Sequence, residues 1–196
     1  DADTGDYRWH YQVMPEESWD YNAAMDIVLA DLEIKGETKK VLMQAPKNGF
    51  LYVIDRQTGN LIGADKFSKS NWASKIDLET GRPVMGEAAD FQKSPKHLWP
   101  GPIGAHNWQA MAYSPKQKLV YIPEMQHGAT YIKSDMPNLR ENFLNLSIIT
   151  TYDQIDPNDG KGSIVAMDPV TLKPKWKVQH DSFWNGGILA TEGDLV

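Results

Sequence analysis

Asp1-Ala2-Asp3-Thr4-Gly5-Asp6-Tyr7-Arg8-Trp9 has the frame Asp-x-x-Thr-Gly-x-x-x-Trp, and the frame returns three times along the chain. Asp55-Arg56-Gln57-Thr58-Gly59 and Asp77-Leu78-Glu79-Thr80-Gly81 repeat its first half. Asp168-Pro169-Val170-Thr171-Leu172-Lys173-Pro174-Lys175-Trp176 repeats all of it, with leucine in the glycine position. The chemistry is that of a tight hairpin: aspartate accepts backbone N–H bonds, glycine supplies positive φ, and the next strand begins at once. A tryptophan at fixed offset gives a repeat a broad flat surface to dock on its neighbour. Such turns are common in β proteins, but four in one chain, two carrying the tryptophan, point to radial repeats such as propeller blades.

Outward from these turns, helical periodicity is weak. Short segments rich in β-branched and aromatic residues (7–13, 40–44, 50–55, 119–123, 163–168 and 175–179) alternate with Gly, Pro, Asn and Asp turn signals. That pattern predicts an antiparallel all-β fold. Blades of about 40–50 residues would make residues 1–196 a partial propeller domain of three to four blades, each a four-stranded sheet. So few blades cannot close a large ring without exposed edges. Both ends cut through the repeat and no leader segment precedes it, so the chain is expected to be an internal piece of a longer protein. Residues 124–162 lack the repeat and are rich in Asn, Asp, Pro and Met, which reads as a long inter-strand excursion.

Composition narrows the partners. The chain is 41% hydrophobic and 23% charged, a globular balance. A net charge of −6 argues against nucleic acid or an anionic membrane, either of which wants a basic face. The densest basic pairs, Lys39-Lys40 and Lys173 with Lys175, read as solvated turn residues. There is no cysteine, which excludes disulfides, a thiolate zinc site and a Cys-x-x-Cys-His haem attachment within this stretch. No apolar run approaches the roughly 20 residues that span a bilayer, so membrane contact is not evident.

Three stretches are more specific. They are Trp9-His10-Tyr11-Gln12 with Ser18-Trp19-Asp20-Tyr21-Asn22; Leu42 through Arg56, containing Ala45-Pro46-Lys47-Asn48-Gly49; and Trp99-Pro100-Gly101-Pro102-Ile103-Gly104-Ala105-His106-Asn107-Trp108. With Asn185-Gly186-Gly187-Ile188-Leu189-Ala190-Thr191 near the end, they resemble, in order and spacing, the central blades of the pyrroloquinoline quinone (PQQ)-dependent alcohol dehydrogenases. The resemblance covers essentially the whole chain. It is closer to the quinohaemoprotein branch than to the methanol dehydrogenases, which carry Arg-Asn-Gly in place of Lys47-Asn48-Gly49.

The resemblance implies an eight-bladed propeller with PQQ and a divalent metal on its axis. It implies a periplasmic enzyme that oxidises an alcohol to an aldehyde or ketone and passes electrons to a cytochrome c or a quinone. Related quinoproteins acting on polyols, polyvinyl alcohol or aldehydes are alternatives within the same chemistry. A non-catalytic propeller scaffold binding partner proteins is the alternative of another class, and it would have no need of Asp20 or Lys47.

By motif, the resemblance places Asp20 on the catalytic base and at the metal. A carboxylate can take the hydroxyl proton as hydride leaves the alcohol carbon. Trp19 and Tyr21 are expected to desolvate Asp20 partly and hold its rotamer. Lys47 falls on the cation that hydrogen-bonds the quinone oxygens, where a positive donor stabilises developing oxyanion character. Asn107 and Trp108 fall on the pair that borders PQQ. Outside that context, Asp20 would be an ordinary turn acid, Lys47 a surface lysine and Trp108 a core residue.

His106 invites a metal-ligand reading, but the five histidines show no ligand spacing, so a satisfied structural role is expected. Asn185 reads as a turn former, and the seven tryptophans mostly as blade-docking core. The implied metal is Ca²⁺, a hard cation suited to oxygen ligands. Lanthanide-using relatives carry an aspartate two positions after the catalytic one. Asn22 stands there in this chain, one negative charge fewer, which favours Ca²⁺. The family's other metal ligands, its PQQ-stacking residue and most carboxylate clamps would lie upstream of residue 1, leaving about half a site here and the isolated chain inactive. Met14-Pro15-Glu16-Glu17 departs from the family pattern beside the substrate-side wall.

Overall fold

The structure is a computed structural model, and it describes residues 1–134 and 148–196. In chain order the strands are β1 (Val28–Ile34), β2 (Glu37–Gln44), β3 (Phe50–Asp55), β4 (Leu61–Lys66), β5 (Ala73–Ile76), β6 (Pro83–Met85), β7 (Lys96–Leu98), β8 (Ala112–Ser114), β9 (Leu119–Gln126), β10 (Ala129–Lys133), β11 (Ile148–Thr151), β12 (Lys161–Asp168) and β13 (Lys173–His180). One 3₁₀ turn, Glu87–Ala89, is the sole helical element among the described residues. The all-β expectation holds.

Two four-stranded antiparallel sheets carry the architecture, ordered β1-β2-β3-β4 and β8-β9-β12-β13. Between β9 and β12, neighbours in the second sheet, the chain leaves to lay β10 on β7 and β11 on β10. This departure falls in the 124–162 stretch, of which 135–147 lie outside the described residues. β5 and β6 form a separate hairpin.

The first sheet is a middle layer. Along β3, Leu51 and Val53 face one core with Val41, Met43, Val120, Ile122, Val165 and Met167, which joins the two large sheets. Phe50, Tyr52 and Ile54 face the other, with Trp19, Tyr21, Trp72, Phe91, Leu98 and Tyr131. Burial on both faces explains why Phe50-Leu51-Tyr52-Val53-Ile54 is continuously apolar and easily read as a strand. β1 and β4 escape the strand reading because Ala30-Asp31 and Gly63-Ala64-Asp65 dilute their pattern.

Residues 7–13 do not form the expected strand. They meet no ladder partner among the described residues, and aromatic side chains hold them instead. The Trp9 indole donates to the Arg56 carbonyl at 3.1 Å, and the Tyr11 hydroxyl donates to the Gly81 carbonyl at 2.7 Å. The paired lysines also differ from expectation, since Lys39-Lys40 lie on β2 and Lys173 and Lys175 on β13.

The four repeat turns share one geometry. In each, the aspartate Oδ1 accepts the two amides at i+2 and i+3, as Asp55 does from Gln57 (2.9 Å) and Thr58 (3.2 Å). The fifth residue donates to the aspartate carbonyl at 2.8–2.9 Å and has positive φ: Gly5 74°, Gly59 78°, Gly81 69° and Leu172 57°. Leucine bears this at a cost of about 1–2 kcal/mol. Its side chain compensates by filling the space over Gly63, where a Cβ would come within 2.7 Å of Leu172 Cδ1. Lys173 beside it pairs with Asp65 at 2.7 Å, so the fourth turn is clasped to β4.

Trp9 docks face-on over Gly59, where a Cβ would lie 2.7 Å from the ring. Trp176, the other tryptophan of the frame, packs on Tyr121 of its own sheet (5.6 Å between centroids). The docking role is narrower than the sequence implies. Trp19 and Trp72 are buried, but Trp108, Trp176 and Trp184 are exposed, because the surrounding chain covers only part of their rings.

Gly59→Ala is expected to lower stability by at least about 1 kcal/mol more than Gly36→Ala. Both carry the left-handed penalty, but only Gly59 meets a ring, and Gly36 opens on free space. Chemical denaturation of the two variants measures the difference. Burial pushes the Tyr11 phenol up to about 12. Its contribution to stability is therefore complete below the unfolded value near 10 and is lost as pH rises toward 12. Tyr11→Phe should flatten that part of the stability profile.

Candidate active site

The loop ahead of β1 holds two non-glycine residues at positive φ, Glu16 (57°) and Asp20 (65°). Such conformations persist only where surroundings over-determine them. Here they do. Trp19 and Tyr21 are both buried, their rings 6.0 Å apart and near parallel, with Trp72 against each. The Trp19 indole donates to the Ala89 carbonyl at 3.1 Å, the Tyr21 hydroxyl to the Pro100 carbonyl, and the Tyr131 hydroxyl to the Trp19 carbonyl at 3.0 Å. Burial raises the pKa of both tyrosines, so they act as neutral donors. Gln44 at the end of β2 ties the loop down by donating to the carbonyls of Ala23 and Met25, each at 2.9 Å.

Asp20 points the other way. Its side chain is 58% exposed, so Trp19 and Tyr21 do not desolvate it as expected. They anchor the backbone on either side and leave the carboxylate in the open.

Lys47 comes from the β2–β3 connection, all of it buried. Asn48 organises the turn: its carbonyl oxygen accepts from Phe50 N at 3.1 Å and its amide donates to the Tyr52 hydroxyl at 2.9 Å. The Trp72 indole donates to the Asn48 backbone carbonyl at 2.8 Å. Gly104 then lies directly on the lysine stem, where a Cβ would fall 2.4 Å from Lys47 Cγ, and Ala105 N donates to the Lys47 carbonyl at 2.9 Å. The Lys47 side chain is only 9% exposed, and its ammonium stands 3.4 Å from Asp20 Oδ2. It is not a surface lysine.

Asp20 is the sole partner of Lys47 Nζ among the described residues, at a distance longer than a charge-assisted hydrogen bond. An ammonium has three donors. The pocketed cation therefore has hydrogen-bonding capacity to spare. The other Asp20 oxygen accepts from the Asn22 amide at 3.3 Å.

The 101–109 loop that seals Lys47 also carries Asn107 and Trp108. Asn107 is half-buried and donates to the Ile103 carbonyl at 2.8 Å. Trp108 is 70% exposed, hence no core residue. Neither bonds Asp20 or Lys47; the loop alone relates them to the pair. His106 is structural, fully buried with its ring nitrogens on the carbonyls of Ala45 (2.6 Å) and Gln109 (2.5 Å). Asn185 is a cross-strand tie: its amide donates to the Glu124 carbonyl at 2.5 Å and its oxygen meets His180.

Two open hollows meet at Asp20. One, of ≈ 350 Å³, is lined by Tyr11, Val13, Met14 and Asn22. The other, of ≈ 680 Å³, is walled by Trp19, Pro102, Tyr131, Ile148, Thr150 and Tyr152. Glu17 and Asp20 border both. Sequence reasoning missed Glu17, Tyr131 and Gly104. The unusual Met14-Pro15-Glu16-Glu17 run was the only available signal for Glu17. Among the described residues no group of three or more His, Asp or Glu could hold a metal ion, and no helix is long and apolar enough to cross a membrane.

Residues 1–65 match the family model of the PQQ glucose/ethanol/alcohol dehydrogenase β-propeller domain. The chain is 46% identical over 195 residues to the quinohemoprotein alcohol dehydrogenase ADH IIB of Pseudomonas putida, covering 99% of this chain and 28% of that protein. The solved structure of quinohemoprotein alcohol dehydrogenase ADHIIG from Pseudomonas putida HK5 superposes with a TM-score of 0.88 at 38% identity, over 98% of this chain and 30% of the other. A europium-containing methanol dehydrogenase superposes with a TM-score of 0.80 at 30% identity, over 92% of this chain and 32% of the other. The chain thus spans under a third of the length of the proteins it matches.

Gly104→Ala should lift the 101–109 loop off the Lys47 stem, since the methyl has nowhere to go and φ is +91°. Amine acetylation followed by mass spectrometry should label Lys47 several-fold faster in that variant. Gly186→Ala, with open space around it, should label like the unaltered protein.

Proposed function

We propose that this chain, which belongs to the PQQ-dependent alcohol dehydrogenases, carries the proton-accepting side of an active site that oxidises an alcohol to an aldehyde or ketone. The observation that carries the reading is the nearly buried Lys47 ammonium 3.4 Å from the exposed Asp20 carboxylate. A charge is expensive to hold away from water without full pairing, and a single long contact to Asp20 leaves donors for a further acceptor.

Those donors fit the carbonyl oxygens of a quinone, and the exposed Trp108 and half-buried Asn107 offer a flat face and a mixed donor–acceptor on the adjoining loop. When bound, PQQ supplies the hydride acceptor. Asp20 takes the substrate hydroxyl proton at its solvent-facing carboxylate, which the Asn22 amide and Lys47 hold from either side. Lys47 presents positive charge to the reacting oxygens without reorganising, because its stem is sealed beneath Gly104.

We assign the metal as Ca²⁺. Asn22 directs an N–H at Asp20 Oδ1 and adds no negative charge, which suits a divalent ion better than a trivalent one. From this chain, Asp20 would supply one carboxylate to the ion. The onward acceptor is a cytochrome c or a quinone, and the compartment the periplasm; family resemblance supports both.

The test is PQQ-dependent alcohol oxidation by the full-length protein, reconstituted with Ca²⁺ and an artificial electron acceptor. Asp20→Asn is expected to lose roughly 10²–10⁴-fold in kcat while retaining PQQ. A full-length protein that binds no PQQ and oxidises no alcohol would overturn the reading and leave the non-catalytic scaffold.

A further inference from the structure

We propose that Glu17 makes this site discriminate by charge, admitting neutral and cationic alcohols with an apolar body and turning away alcohols that carry a carboxylate. The inference rests on the alcohol-oxidation reading above and goes further by naming the substrate class. The larger hollow beside Asp20 has walls of Trp19, Pro102, Tyr131, Ile148 and Tyr152, with Ser18 and Thr150 the small polar contributors. An alcohol whose hydroxyl reaches Asp20 lays its carbon body on that wall.

The other acid bordering this hollow is Glu17, and it is held in place. Its Oε1 accepts from Trp19 N at 2.6 Å, and Glu16 before it sits at positive φ, so the carboxylate is presented on a braced turn. Among the described residues no cation pairs with Glu17, and Lys47, the nearby positive charge, is engaged with Asp20. Among the described residues, Asp20 and Lys47 thus offset each other and Glu17 stands as an uncompensated negative charge on the rim of the hollow. Glu17 is itself exposed, and its charge adds to burial in raising the pKa of both Tyr21 and Tyr131. A second carboxylate brought in by a substrate meets that charge at short range, and because Glu17 is exposed the repulsion is strongest at low salt.

Three alcohols of matched length separate the outcomes: 4-hydroxybutanoate, 4-hydroxybutanamide and 4-amino-1-butanol. Each is assayed near neutral pH with the PQQ-loaded full-length protein and its Glu17→Gln form. Glutamine keeps the oxygen that accepts from Trp19 N, so the turn is retained. The ratio of kcat/KM for the anionic to the neutral alcohol is expected to rise about tenfold in Glu17→Gln, the ratio for the cationic to the neutral alcohol to fall, and both changes to shrink at high salt. Unchanged ratios, including a uniform loss on all three alcohols, overturn the role of Glu17 while alcohol oxidation stands. No turnover of any alcohol with PQQ bound overturns both.

Discussion

A lysine held almost out of water with one carboxylate for company is the constraint on which the site depends. The arrangement is costly: the stem must be packed, the backbone around it satisfied, and the ammonium aimed. Each requirement has its own residue. Gly104 packs against the stem, Asn48 and Trp72 satisfy the turn beneath it, and Gln44 ties down the loop that brings Asp20 across. The result is a preorganised positive donor beside an accessible carboxylate.

The middle position of the first sheet makes this possible. Because β3 is buried on both faces, the connection that precedes it cannot drift, and Lys47 inherits that rigidity. On one side of the sheet the Trp19–Tyr21–Trp72 cluster grips the loop bearing Asp20. On the other, Ala105 packs in the inter-sheet core and anchors the loop that seals Lys47. The two halves of the site are thus delivered by the two cores of the fold.

Repetition and exception work together in the turns. Three of four use glycine for the left-handed position, while Leu172 accepts the strain and in return bridges to Gly63 across the inter-sheet core. The same trade recurs at Asp20, where positive φ sets the carboxylate opposite two anchored aromatics. Local strain in this molecule marks places where one residue serves contacts on two sides.

The all-β class, the four Asp-based turns and the doubly buried strand β3 were legible because each is a local matter, written in consecutive residues. So was His106 as a structural histidine, while the motifs around Asp20, Lys47, Asn107 and Trp108 singled those residues out without fixing what they do. Their relations were not legible. That residues 7–13 are pinned by ring contacts and form no ladder among the described residues, that Trp108 is exposed while Trp19 is buried, and that Trp19 and Tyr21 leave Asp20 open to water all depend on residues 47 to 112 positions away. Glu17, hinted at by the unusual Met14-Pro15-Glu16-Glu17 run, gained a setting only when a hollow walled by β10, β11 and the 101–109 loop opened beside it and Asp20. Turn chemistry acts over four or five residues and can be read along the chain, whereas burial, charge pairing and cavity shape are properties of surfaces brought together by packing.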